Sequence, residues 1–233
     1  MVTLIAVAGT HGGRHEKPWF HWGSDWWNEA ERRGAQRAAV DRRRWGGEID
    51  GIFGENETWI IGGEYLWDFI VHSCNPSETV IVAHSHGGTV VGEAICGKMK
   101  VKALITLGTP VRRDTRLALG MMAEAAEAWT HIYSPSDWWQ LLGGIGDGHF
   151  SLRRKMRHAH RNIRVKGLSH ADLHSVKAWK KNGWWDLVFG EAAPAVIPDG
   201  ERKGIGYGPR SDHYLASPPC PWRWRSGCRQ GNL

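Results

Sequence analysis

The 233-residue sequence holds little cysteine, 4 residues in all. That is too few for a disulfide scaffold in a chain of this length. Cys74 and Cys96 stand among apolar neighbours and read as ordinary buried thiols. Cys220 and Cys228 lie in a proline-rich stretch, where a local bridge needs an oxidising compartment. Long apolar runs are lacking too. Nothing approaches the roughly 18–20 consecutive apolar residues of a membrane span, so no integral membrane segment is expected. Residues 1–9 have no basic lead-in and no small-residue cleavage site after them, which makes a poor signal peptide and sets the expected location as cytoplasmic. There is no internal repeat. No P-loop, RNP-like motif or zinc-knuckle spacing points to nucleic acid. Neither sign of charge dominates: Lys+Arg 30 against Asp+Glu 24 gives +6, with pI ≈ 9.3. That balance allows peripheral contact with anionic surfaces and falls short of a dedicated nucleic-acid binder.

What is present is a globular composition, 41% hydrophobic and 23% charged, with 15 Trp, 30 Gly and 13 His. Three apolar runs read as buried parallel strands: residues 2–8 (VTLIAVA), 79–84 (TVIVAH) and 101–107 (VKALITL). Residues 38–41, 130–133 (THIY) and 163–166 (IRVK) are weaker strand candidates. Helical periods fall between them. Ser24 caps residues 25–33, stopped by Gly34. After Asn56, one helix face holds Trp59, Ile60, Gly63, Leu66, Trp67, Ile70 and Val71. Further helices are expected over 87–95, over a span capped by Asp114 with Met121, Met122, Ala125 and Trp129 inward, and over 171–181, ended by Gly183. Strand and helix alternate, so the expected fold is α/β with a mostly parallel sheet of about six strands flanked by helices. One domain is expected over 1–190, with a Trp-rich, cap-like segment near 14–50. From residue 191 onward the chain carries six of its ten prolines and no clear period, and reads as a packing or partly disordered tail. Arg42–Arg44 and the arginines of 153–161 read as solvated faces.

The most informative segment is VIVAHSHGGTVV, residues 80–91. A buried strand ends, one serine follows, and a helix begins at once on two glycines. This is the arrangement of a nucleophile elbow. Small residues are needed two before and two after the serine, here Ala83 and Gly87, because strand and helix backbones pass close together. Ser85 would then stand above the strand end. The His86 N–H, at a helix N-terminus, would point toward a developing oxyanion. The plainer reading makes Ser85 a helix cap. A metal reading of His84-x-His86 fails on the Gly88 and Thr89 that follow, although His170 and His174 share the i, i+4 spacing of ligands. No metal and no cofactor are expected, and the rings of His84 and His86 read as structural.

The AHSHGGTVV run resembles the serine elbow of the lipase/esterase-like branch of the α/β-hydrolase superfamily. Residues 101–110, ending in Gly-Thr-Pro, look like the next strand of that superfamily. Trp45-Gly-Gly-Glu48 looks like its lipase-like branch. Residues 7–12 (VAGTHG) look like its oxyanion loop, with Ala8 where His is common. The likeness spans roughly residues 1–190. It implies a Ser, acid, His order along the chain. Asp137, after the 130–133 strand, is the implied acid, with Asp147 in reserve. His170, between the 163–166 strand and the helix after it, is the implied base, with His174 in reserve. Thr10 is the implied second oxyanion donor, through its backbone N–H. Trp19, Trp22 and Trp138 are candidates for an aromatic substrate wall beside packing roles.

The function this implies is a serine hydrolase that cleaves carboxylic esters through an acyl-enzyme, its substrate a small-molecule or lipid ester. An acyltransferase using the same triad and a non-catalytic binding protein of this fold are the alternatives.

Overall fold

The computed structural model describes residues 1–9, 19–20, 23–37, 56–95, 100–111, 122–146 and 154–190, with backbone only for 56–60 and 143–146. The chain divides into two compact units, Met1–Val196 and Ile197–Leu233, and the second lies outside the described residues together with the rest of 191–233. Most of the cap-like segment near 14–50, Cys96, Cys220 and Cys228 also lie outside them.

Among the described residues, six strands form one sheet: β1 (Val2–Val7), β2 (Ala35–Arg37), β3 (Thr79–His84), β4 (Val101–Leu107), β5 (Ala126–Tyr133) and β6 (Arg161–Arg164). Their order is β2-β1-β3-β4-β5-β6, and every pairing is parallel. Helices among the described residues include α1 (Asp25–Arg32), α2 (Asn56–Ser73), α3 (Gly87–Ala94), α4 (Trp138–Gly146), α5 (Val176–Asn182) and α6 (Asp186–Phe189), with 3₁₀ turns at Pro76–Glu78 and Ala171–His174.

Strand β3 is buried along its whole length, as its unbroken TVIVAH run requires between two helical layers. Successive side chains face opposite layers. Ile81 and Ala83 join Leu66, Ile70, Val91 and Trp129 on one face. Val80 and Val82 join Trp26, Trp179 and Trp185 on the other. Those three indoles pack edge-on or tilted, with centroids 4.7 to 5.2 Å apart. Each such ring removes about 150–250 Å² from water, so much of the tryptophan content serves the core. Glu29, on α1, is buried and pairs with Arg32, Arg33 and Lys180. It thereby ties α1 to α5.

The chain runs from β1 out to β2, then returns to place β3 on the other side of β1. The order therefore reverses at β1 and β3. The crevice beyond the carboxyl ends of those two strands is a topological switch point, the usual ligand position in an open parallel sheet.

Several local expectations need correction. The 38–41 candidate lies outside the described residues, and the observed edge strand is three residues earlier, at Ala35–Arg37. Among the described residues it pairs only with β1, so apolar density marks it poorly. Trp129 belongs to β5, where its indole donates to Thr106 Oγ1 at 3.1 Å, rather than to a helix. Trp67 and Val71 are exposed, although Leu66 and Ile70 of the same helix are buried. The helix expected over 171–181 is broken. A 3₁₀ turn ends at His174, Ser175 accepts from Ala178 N at 3.2 Å, and a new helix begins. Serine competes for helix amides as a cap, which is why the period restarts there.

Candidate active site

Ser85 stands between the last residue of β3 and the first of α3 with φ +54°, the only positive φ outside glycine among the described residues. An L-residue in this left-handed conformation costs about 1–2 kcal/mol and persists only where the surroundings hold it. They do so here. Ser85 N donates to Leu107 O at 2.8 Å, and Gly88 N donates to Ser85 O at 3.0 Å. A Cβ on Gly87 would fall 2.6 Å from Val7 O, and one on Gly9 would fall 2.5 Å from Ser85 Cβ. Only glycine lets the loop after β1 and the start of α3 pass so close. Ala83, where this kind of elbow usually has glycine, is wholly buried, its methyl absorbed into the core.

The acid turn follows β5. Asp137 N donates to Ser134 O at 3.1 Å, and Asp137 Oδ1 accepts from Gln140 N at 3.0 Å, capping α4. The carboxyl group is buried, and its Oδ2 lies 2.7 Å from His170 Nδ1. A carboxylate only accepts, so Nδ1 carries the hydrogen and Nε2 is left as the basic nitrogen. The pair sits over the end of β4. A Cβ on Gly108 would lie 2.7 Å from Asp137 Oδ2 and 3.2 Å from His170 Nδ1. Gly108 directly follows Leu107, whose carbonyl binds Ser85 N. The end of β4 thus meets Ser85 through Leu107 O and the Asp137–His170 pair beside Gly108.

His170 is 16% exposed at its side chain and opens the 3₁₀ turn. On the exposed side, Ser169 N and Oγ donate to Asp172 Oδ2 at 2.8 and 2.6 Å. On the buried side, His84 Nε2 lies 3.0 Å from His170 O. The His84 ring is pushed well below the ordinary imidazole range by burial, and further by the neighbouring His170 and His174 rings. His174 stacks on Trp19 at 5.3 Å and meets the edge of His84 at 4.7 Å. The reserve base is thus packed among rings, and the hydrogen bond to Asp137 belongs to His170.

Behind the acid lies a polar network that the local sequence does not reveal. Arg154 donates to Ser134 O at 2.6 Å and also to Asp137 O. Arg154 is half-buried, so the expectation of a solvated basic face fails at this residue. Gln140 Nε2 donates to Thr109 O at 2.9 Å and to Arg154 O at 3.2 Å. His131 is fully buried, with Thr106 Oγ1 2.8 Å from Nδ1 and Arg154 O 2.9 Å from Nε2. Burial lowers its pKa to about 4. A basic residue in a loop looks the same in sequence whether it faces water or a carbonyl, so nothing there marked Arg154 as a partner of the acid turn.

Thr10, Trp22 and Asp147 lie outside the described residues. His86 is buried and caps α3, its carbonyl accepting from Thr89 N and Val90 N. Trp138, next after Asp137, is 69% exposed, and Trp139 is 58% exposed. Trp19 is half-buried against Trp26 and His174. Among the described residues, no group of three or more His, Cys, Asp or Glu is placed to hold a metal ion, and no helix is long and apolar enough to cross a membrane.

No protein-family model matches the chain, and no curated protein matches its sequence. Solved structures do match its fold. The α/β hydrolase GrgF from Penicillium sp. sh18 superposes with a TM-score of 0.51 at 10% identity, over 82% of this chain and 90% of its own. An esterase from Rhodococcus sp. ECU1013 aligns with a TM-score of 0.49 at 10% identity, over 82% of this chain and 91% of its own. The chain has the α/β-hydrolase fold: a parallel sheet flanked by helices, with a sharp strand-to-helix turn at the switch point.

Proposed function

We propose that this protein is a serine hydrolase of the lipase/esterase-like kind, cleaving carboxylic esters. The observation that carries the reading is the Asp137–His170 pair, 2.7 Å apart over the end of β4, beside a serine held at φ +54°. Ser85 Oγ attacks the ester carbonyl while His170 Nε2 takes its proton. Asp137 keeps the hydrogen on Nδ1 and stabilises the imidazolium. The His86 and Thr10 N–H groups bind the tetrahedral oxyanion. Each such donor is worth about 2.7–4 kcal/mol in the transition state. His170 then protonates the departing alcohol, leaving an acyl-serine. Water, deprotonated by the same imidazole, attacks the acyl-serine; the acyl–Oγ bond breaks, the acid leaves, and the imidazolium returns its proton to Ser85 Oγ. Trp138, exposed beside the acid, with Trp19 and Trp22, supplies the apolar surface for the acyl group or alcohol.

Fluorophosphonate labelling and p-nitrophenyl esters of graded acyl length test this. The parent protein is expected to label at Ser85 and to turn over at least one ester. Ser85→Ala is expected to lose both while melting normally. A variant that still hydrolyses esters at the parent rate overturns the serine mechanism.

A further inference from the structure

His84 and Ser85 are consecutive, and each makes a hydrogen bond that reaches beyond its own strand. Ser85 N binds the end of β4. His84 Nε2 lies 3.0 Å from the main-chain carbonyl of His170, 86 residues away in the chain. A carbonyl oxygen only accepts, so the His84 ring is the donor and its hydrogen sits on Nε2. The ring is buried, centred 4.3 Å from the His170 ring and 4.7 Å from the His174 ring, with Trp19 at 6.3 Å. Burial beside two other imidazoles disfavours its charged form.

His170 belongs to a short connection, and its own side chain does not cap the turn it opens. Its exposed flank is closed locally by Ser169 and Asp172. Its buried flank is bound by His84. Asp137 grips the imidazole at Nδ1, which sets the ring's rotation but not the height of the backbone from which it hangs. His84 supplies that second constraint from the residue adjoining the nucleophile. The backbone of the base is therefore referenced to the strand end that carries Ser85.

We propose that His84 is a positioning residue, whose Nε2–H holds the His170 carbonyl and so sets the approach of the His170 imidazole to Ser85. The inference rests on the serine-hydrolase reading. Misplacement by about 1 Å at a reacting pair can cost on the order of 100-fold, and His84 acts on that separation without touching the substrate.

The test uses the full chain and a p-nitrophenyl ester. His84→Phe keeps a planar ring and removes the donor, whereas His84→Gln places an amide N–H near the position of Nε2. His84→Phe is expected to lower kcat about 10- to 100-fold with KM within about twofold, and His84→Gln to recover most of that loss. Turnover by His84→Phe within twofold of the parent overturns the proposal. So does a loss carried by KM, or a Gln variant no better than Phe. ¹⁵N-imidazole NMR of the parent supplies a readout independent of variant folding. The expected signal is a neutral ring with a slowly exchanging Nε2–H at neutral pH, and an Nδ1–H tautomer overturns the proposal. Ser85→Ala separates the two levels. If that variant still turns over ester, the serine reading fails. If it is inactive while His84→Phe is unimpaired, only the positioning role fails.

Discussion

Asp137 and His170 are 33 residues apart in the chain, yet Oδ2 of one lies 2.7 Å from Nδ1 of the other. Asp137 comes from the turn after β5 and His170 from the connection after β6, and β5 and β6 are paired neighbours. The contact follows from parallel strand order: loops at the same end of adjacent strands must meet.

Replacing Asp137 with Asn keeps an oxygen able to accept from Gln140 N but removes the carboxylate that selects the Nδ1–H tautomer. Turnover of a p-nitrophenyl ester is expected to fall by roughly 10³–10⁴-fold. The circular dichroism spectrum should stay that of the parent. A fall of less than tenfold would count against Asp137 as the orienting acid.

Gly108 has φ +56°, and a Cβ there would lie 2.7 Å from Asp137 Oδ2. Gly108→Ala is therefore expected to lower the melting temperature and to reduce ester turnover together, because the added methyl displaces the acid from beneath His170. Thermal melts and initial rates on the same preparation decide it. Parent-like values of both would show that the strand end yields freely.

Arg154 donates to two carbonyls of the acid turn. Arg154→Met leaves Asp137 O without that donor, while Ser134 O keeps Asp137 N, at about 1–3 kcal/mol for one buried unsatisfied group. At about 2–4 °C per kcal/mol for a domain of this size, the melting temperature should drop by roughly 2–12 °C. Ester turnover should fall as well, because the turn that carries Asp137 loosens. An unchanged melting curve would mean that other donors replace the guanidinium.

Stability should decline on mild acidification. The unfolded chain binds protons at His131 and His84 near pH 6.5. The folded protein resists protonation of His131 down to about pH 4, and its His84 is shifted in the same direction. Between those values the unfolded state holds more protons, so stability rises with pH and is lost as pH falls from about 6.5 toward 4. Urea midpoints at pH 7, 5.5 and 4.5 should fall in that order. His131→Gln should flatten the trend. A midpoint independent of pH across this window would contradict neutral burial of these imidazoles.

Sequence alone determined the parts of this protein whose physics is local. The TVIVAH and VKALITL runs form strands at their expected limits, because a continuous β-branched apolar run has no stable place except between two covering layers. The elbow was legible because a strand-Ser-x-Gly-Gly-helix pattern leaves so little steric choice. Edge elements were less legible. The β6 strand is Arg161–Arg164, two residues before its expected span, because an edge strand facing solvent need not be apolar. Tertiary structure decided the rest. It drew His170 rather than His174 to Asp137, since Ser175 restarts the helix and leaves His174 stacked on Trp19. It sent Trp26 and Trp27 into the core and left Trp138 in the open. It also gave His84 and Arg154 distant carbonyls to bind. Those partners are other loops brought in by strand order, and a side chain's own neighbours in sequence carry no record of which loop will arrive beside it.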